Sequence, residues 1–167
     1  MKSVKKLTLL ALFTTIALII FVIESAIPPI VPIPGVKLGL ANIVTLLLIV
    51  NRMPKEAAVV LLMRIFLASV FAGQMMSFFF SLLGGIFCLI AMTVSNRLLH
   101  GQLIWFTSII GAIFHNAGQL LAAIITLQSI YVIYYAPFLL VSAVITGLFT
   151  GLCVHFLKDR IHLERYF

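Results

Sequence analysis

The densest group of side chains able to do chemistry is His115, Asn116 and Gln119, in the run Gly111-Ala112-Ile113-Phe114-His115-Asn116-Ala117-Gly118-Gln119. On a helix, residues three and four apart are neighbours, so His115 and Gln119 share a face and Asn116 adjoins it. Gly111 and Gly118 let backbone or ligand approach closely. Amide and imidazole groups so placed offer donors and acceptors to a polar ligand. The bland alternative is hydrogen bonding between helices, worth only about 0.6 kcal/mol per pair in a membrane. The density of polar groups favours a binding wall. No neighbour stands at ligand spacing from His115, so no metal site is expected.

Arg64 stands near the middle of the helix expected over 55–72. A cation at bilayer depth costs roughly 3 kcal/mol on insertion scales, and such residues normally face a bundle interior or an aqueous cavity. Two readings stand beside each other. Arg64 meets an anionic or carbonyl-bearing ligand, or it is structural, snorkelling or paired within the protein. Glu24, Lys37 and Asn42 gather around a proline-rich stretch that contains Pro28, Pro29, Pro34 and Gly35. A helix entered from non-helical backbone presents free amides, which favour anions. Glu24 and Lys37 also read as a plain ion pair. Lys37, Asn42, Arg64, His115, Asn116 and Gln119 are therefore the candidate binding residues.

The composition states what must hold these groups. The chain has 167 residues, 63% of them hydrophobic and 9% charged, with a mean hydropathy of +1.27. A soluble domain carries about 25% charged residues, so lipid must be the solvent for most of this exterior. The net charge of +7 does not point to nucleic acid, because the charges sit at the ends of apolar runs. Cys88 and Cys153 lie inside such runs and read as small hydrophobes. There is no aspartate-rich magnesium cluster, nucleotide loop, haem or iron–sulfur ligand set, or Ser-His-Asp arrangement. The chain is accordingly read as a non-enzyme without a cofactor.

The elements follow from the apolar runs. Residues 7–23 form a first helix behind a basic start. The layout resembles a signal peptide, but the run is long and no small-residue cleavage site follows, so it reads as retained. The prolines of 27–35 lack amide donors and exclude helix; this loop is expected to dip inward. Residues 38–50 form a short second helix of about 20 Å, too short to cross a hydrocarbon core of about 30 Å alone. Further helices are expected over 55–72, 75–95, 103–127 and 134–157. Stripes of small residues (Ser77, Ser81 and Gly85; Ser142, Thr146 and Thr150; Ala11 and Thr15) read as close-packing faces. The fold expected is an all-α, single-domain bundle of six transmembrane helices over residues 1–167.

Orientation follows from the flanks. If the N-terminus is inside, the inner flanks hold Lys2, Lys5, Lys6, Arg52, Lys55, Arg97, Lys158, Arg160 and Arg165, against Lys37 alone outside. That is a positive-inside pattern with both termini cytoplasmic.

Three segments carry a family likeness: 24–29 continued by Pro34-Gly35-Val36-Lys37-Leu38-Gly39-Leu40-Ala41-Asn42-Ile43-Val44, then Ser81-Leu82-Leu83-Gly84-Gly85, then His115-Asn116-Ala117-Gly118-Gln119. With them, essentially the whole chain resembles the bacterial Gx transporter family, often described as heptaprenyl diphosphate synthase component I. That family is grouped with the substrate-binding S components of energy-coupling factor (ECF) transporters. The resemblance implies a six-helix bundle in the bacterial cell membrane with an outward-facing pocket. Glu24, Pro28, Pro29, Pro34 and Gly35 would form its lid. It also implies docking to a transmembrane T protein driven by paired ATPases. Ala11 and Thr15 would stand where S components carry an alanine-xxx-alanine docking motif, from which the threonine departs.

The function expected is therefore a substrate-binding membrane subunit for a small anionic or amphipathic molecule. The alternative is a non-catalytic membrane accessory subunit linked to heptaprenyl diphosphate or quinone synthesis, or to flavin-linked electron transfer.

Overall fold

The computed structural model describes residues 2–26, 37–72 and 75–160. Pro28, Pro29, Pro34 and Gly35 of the expected lid lie outside the described residues, as does Arg165. Among the described residues there are six α-helices and no strand: α1 (Lys2–Ser25), α2 (Asn42–Val50), α3 (Pro54–Ala72), α4 (Met75–Leu98), α5 (Ile104–Leu127) and α6 (Ala136–Lys158). A 3₁₀ turn, Ile130–Tyr135, leads into α6, and Pro137 occupies the first turn of that helix, where a missing N–H leaves nothing unsatisfied.

Four stretches are long and apolar enough to cross a membrane: Val4–Ser25, Met75–Leu98, Ile104–Leu127 and Ile130–Lys158. The 24 residues of α4 and of α5 rise about 36 Å each, more than the hydrocarbon core requires. Large apolar side chains point outward along these helices, among them Leu7, Val22, Ile90, Ile125, Phe138, Ile145 and Phe156. No water-soluble protein leaves such a surface bare. This is a membrane protein.

The second helix begins later than the apolar run predicts. Residues 37–41 are non-helical, Gly39 takes a left-handed φ of +81°, and α2 starts at Asn42. Its nine residues rise only about 14 Å. Yet Asn42 and every residue from Val44 to Val50 are buried, so α2 is the bundle's central post rather than a lipid-facing span. A helix apolar all round belongs inside. Its side chains pack with Phe13 and Ala17 of α1, Ala57 and Val60 of α3, Cys88 and Met92 of α4, and Val154 of α6. Cys88 is buried as expected of a small hydrophobe, whereas Cys153 is half-buried.

Lipid tails are as apolar as leucine, so helix association here depends on close packing and polar links rather than on escape from water. Glycines provide that closeness. A Cβ at Gly118 of α5 would lie 2.7 Å from the Leu83 carbonyl oxygen of α4, and one at Gly151 of α6 would lie 2.6 Å from the Trp105 Cα of α5. Ser108 and Thr150 add a hydroxyl–hydroxyl bond of 2.7 Å across the same α5–α6 seam. Of the small-residue stripes read from the sequence, Ser77, Ser81 and Gly85 of α4 and Ser142 and Thr150 of α6 are buried within this chain, whereas Ala11 and Thr15 of α1 are exposed.

The polar links also show which helix ends lie together. Lys6 pairs with Glu56 at 2.5 Å, joining the starts of α1 and α3. Asn96 donates to the Ile49 carbonyl at 3.4 Å, joining the ends of α4 and α2. With Gly151 against Trp105, these contacts gather Lys5, Lys6, Arg52, Lys55, Arg97 and Lys158 at one end of the bundle. Glu24, Lys37 and Gly39 lie at the other.

Candidate functional site

The last turn of α1 brings Phe21, Glu24 and Ser25 onto one face, because residues three and four apart are neighbours on a helix. Glu24 is buried at 4% exposure. Its carboxylate accepts the Gly39 N–H at 2.6 Å and the Ala41 N–H at 3.4 Å. These are amides at the entry to α2, where the sequence suggested an anion would sit. The carboxylate there is the chain's own.

Lys37 lies beside it. Its ammonium donates to Ser25 Oγ at 2.7 Å and sits 3.5 Å from the centre of the Phe21 ring, within cation–π range. Lys37 stands in non-helical backbone between α1 and α2, and burial pushes its pKa down from 10.5 to about 8; the Glu24 charge opposes that shift and the Arg64 charge adds to it.

Arg64 approaches the same ring from α3, its guanidinium carbon 5.8 Å from the Phe21 centre. It is only 4% exposed, and its Nε is buried without a hydrogen-bond partner. Among the described residues no carboxylate forms an ion pair with it, although it lies within electrostatic reach of Glu24. A charge taken out of water without a hydrogen-bonded counter-ion is costly, several kcal/mol as an order of magnitude. Two cations therefore approach one aromatic ring while a single carboxylate, already committed to two amides, stands near them.

His115 and Gln119 back this cluster from α5. A Cβ at Gly39 would lie 2.8 Å from His115 Cδ2, and one at Gly84 of α4 would lie 2.9 Å from His115 Cε1. The imidazole is therefore clasped between two glycines and fits because neither has a side chain. The Gln119 side chain reaches the backbone of Lys37. With its amide oxygen turned toward the donors, it accepts from the Lys37 N–H at 3.1 Å and from His115 Nε2 at 3.2 Å, while its nitrogen donates to the Lys37 carbonyl at 3.0 Å. That orientation gives partners to the Gln119 amide, the Lys37 backbone and His115 Nε2, while His115 Nδ1 is buried without one. Asn116 turns to the other side and donates to the Leu139 carbonyl of α6 at 2.7 Å.

Asn42 lies in the first turn of α2 with its Oδ1 buried and unpartnered. Beside it a hollow of about 10 Å³ is lined by Gly39, Asn42, Ser108, Thr146 and Thr150 among others. That is the size of about one water molecule.

The profile of the family described as Heptaprenyl diphosphate synthase component I matches residues 13–157. The chain belongs to this family. No curated protein and no solved structure is significantly similar to it. Every residue of the cluster, from Phe21 to Gln119, falls within the stretch that the component I family matches.

Of the six residues predicted from sequence, five converge. Lys37 and Arg64 share the Phe21 ring, His115 and Gln119 hold the Lys37 segment, and Asn42 adjoins Gly39. Asn116 joins α5 to α6 instead. Sequence reasoning passed over Phe21 and Gly84. Phe21 carried a signal, since it precedes Glu24 by three residues and Ser25 by four. Gly84 stood in the family-likeness segment 81–85 with no role assigned, because its role depends on which helix lies against it. Ala11 and Thr15 are exposed on α1, and the Thr15 hydroxyl donates to the Ala11 carbonyl at 2.9 Å. Among the described residues, no three His, Cys, Asp or Glu side chains come together in a way that could hold a metal ion.

Proposed function

We propose that this protein is a substrate-binding membrane subunit, S-component-like, that receives a small anion at Arg64 and Lys37. The observation that supports this reading is the buried guanidinium of Arg64, whose Nε has no hydrogen-bond partner. Two cations against one carboxylate leave the cluster with a surplus positive charge, which a monoanionic group would neutralise. The Phe21 ring offers that ligand an apolar surface, and the free Asn42 Oδ1 offers an acceptor. In this reading His115 and Gln119 position the Lys37 segment, and the loop carrying Pro28, Pro29, Pro34 and Gly35 closes over the ligand.

The reading places six helices in a bacterial cell membrane, with the basic end of the bundle cytoplasmic by the positive-inside rule. The described chain offers no ATP-binding loop, so transport requires partners: an ECF-type T protein and ATPases, docked in part on the α1 face that bears Ala11 and Thr15. The protein binds and does not catalyse. Native mass spectrometry of the purified protein for a retained anion, with ATP-dependent uptake by the reconstituted complex, tests this. Both signals should vanish in Arg64→Gln. A ligand retained equally by that variant would sink the proposal.

The family description favours a second reading. It names one component of a synthase, so a membrane accessory subunit partnered by a catalytic prenyl diphosphate synthase is the alternative. Under it, a soluble synthase co-purifies, deletion changes product length or yield, and Arg64→Gln changes neither.

A further inference from the structure

The basic end of the bundle holds a cavity of about 240 Å³ lined by Ile49, Arg52, Pro54, Thr93, Asn96 and Arg97. It opens where α2 ends, α3 begins and α4 ends, at the opposite end of the bundle from Glu24 and Lys37. Among the described residues neither Arg52 nor Arg97 is ion-paired, and Glu56, the acid nearest to Arg52 in sequence, is taken by Lys6.

Neither guanidinium is needed as a helix cap. At the end of α2, Leu47 O accepts from the Asn51 backbone N–H at 3.2 Å, Leu48 O from Met53 at 2.9 Å and Ile49 O from Arg52 at 3.0 Å. The Asn51 side chain adds a second bond to Leu47 O at 2.8 Å. At the end of α4, Ser95 O, Asn96 O and Arg97 O accept from Leu99, Gly101 and His100 at 2.9, 3.1 and 3.3 Å. The backbone closes both helices without help from the arginines.

The backbone at Arg52 sharpens the point. Its φ is 60°, in the left-handed region where helices commonly end on glycine or asparagine and where other residues are strained. Arg52 lines the cavity from that conformation, which His100 after α4 and Gln128 after α5 also adopt. Asn96 Oδ1, at the same cavity, is buried without a donor. The start of α3 adds the positive end of a helix dipole.

Forked guanidinium donors match phosphate oxygens, and basic pockets between helices at the cytoplasmic membrane surface are the type that takes anionic head groups. We propose that this cavity binds the phosphate of an amphipathic phosphate or diphosphate ester, with Arg52 and Arg97 as its charge partners. Asn96 Oδ1 accepts from a head-group hydroxyl or a protonated phosphate oxygen. A phospholipid and a prenyl diphosphate present the same chemistry to this site. The inference does not rest on the anion site at Arg64.

The test is native mass spectrometry of the full-length chain in neutral detergent, titrated separately with phosphatidylglycerol, phosphatidylcholine and farnesyl diphosphate. Wild type should retain phosphatidylglycerol or farnesyl diphosphate in preference to phosphatidylcholine, and which of the two it retains identifies the source. Arg52→Gly and Arg97→Gln should each weaken that adduct at least tenfold, while Arg64→Met leaves it intact. Arg52→Gly also relieves the left-handed strain, so its Tm should match or exceed wild type even as binding is lost; should it fail to fold, Arg97→Gln decides. Equal retention of phosphatidylcholine, no adduct with either anionic probe, or adducts unchanged in the folded variants would each overturn the assignment.

Discussion

The Glu24 carboxylate accepts the Gly39 N–H at 2.6 Å, so the last turn of α1 caps the entrance to the central helix α2. Glu24 thereby does two things at once. It satisfies amides that would otherwise be orphaned at a buried helix start, and it supplies the negative charge that Lys37 and Arg64 both feel.

Removing that carboxylate should be severe. Glu24→Ala leaves two amides without an acceptor and two cations without a counter-charge, and should cost about 3 kcal/mol in folding stability. Glu24→Gln keeps an acceptor for one amide and should cost less. Thermal or denaturant unfolding in detergent, followed by circular dichroism, checks the order. Equal stability of the alanine variant and wild type would contradict the capping role.

Arg64 should behave in the opposite sense. Replacing a buried cation that forms no ion pair among the described residues by an apolar side chain of similar length removes a desolvation penalty, so ligand-free Arg64→Met should be as stable as wild type or more stable by on the order of 1–3 kcal/mol. The same variant should bind no anion at the Lys37 end of the bundle. A large loss of stability would show that the guanidinium has partners within the fold.

The clasp around His115 predicts a coupled pair. A Cβ at Gly84 would lie 2.9 Å from the imidazole and 3.0 Å from Gln119 Cγ, so Gly84→Ala overpacks the seam and should cost about 1–3 kcal/mol. Much of that loss should disappear in the background of His115→Ala, since the two residues share the same space. Strictly additive losses in the double-mutant cycle would rule out the direct contact.

Lys37 carries the pH dependence. Burial holds its pKa at about 8 in the folded protein against 10.5 when unperturbed. Between those values the unfolded chain binds the proton and the folded chain does not, so the contribution of Lys37 to stability becomes more favourable as pH rises through this window. The side chain is partly exposed, so solvent screening keeps that effect small. Anion binding runs the other way: it should weaken as pH climbs above about 8 and the ammonium discharges. In Lys37→Arg the affinity should stay level over the same range. A binding profile flat from pH 7 to 10 (about the span of the shift) in wild type would exclude Lys37 from the site.

What could be read from the chain itself was whatever depends on transfer between water and lipid. The apolar runs located the helices within a few residues, the scarcity of charge required a membrane, and the basic flanks belonged at one end of the bundle, where Lys6–Glu56 and Asn96–Ile49 contacts bring them together. The mid-helix polar residues Arg64, His115 and Gln119 stood out because a bilayer tolerates such groups only inside. Which of them meet, and what they meet, depends on three-dimensional packing. The late start of α2 comes from a carboxylate fifteen residues earlier in the chain binding the Gly39 amide. The meeting of two cations at the Phe21 ring, the glycines around His115 and the turn of Asn116 toward Leu139 come from helix rotation and close approach. Those are decided by the shapes of neighbours far apart in sequence, which hydropathy and spacing along a single helix do not encode.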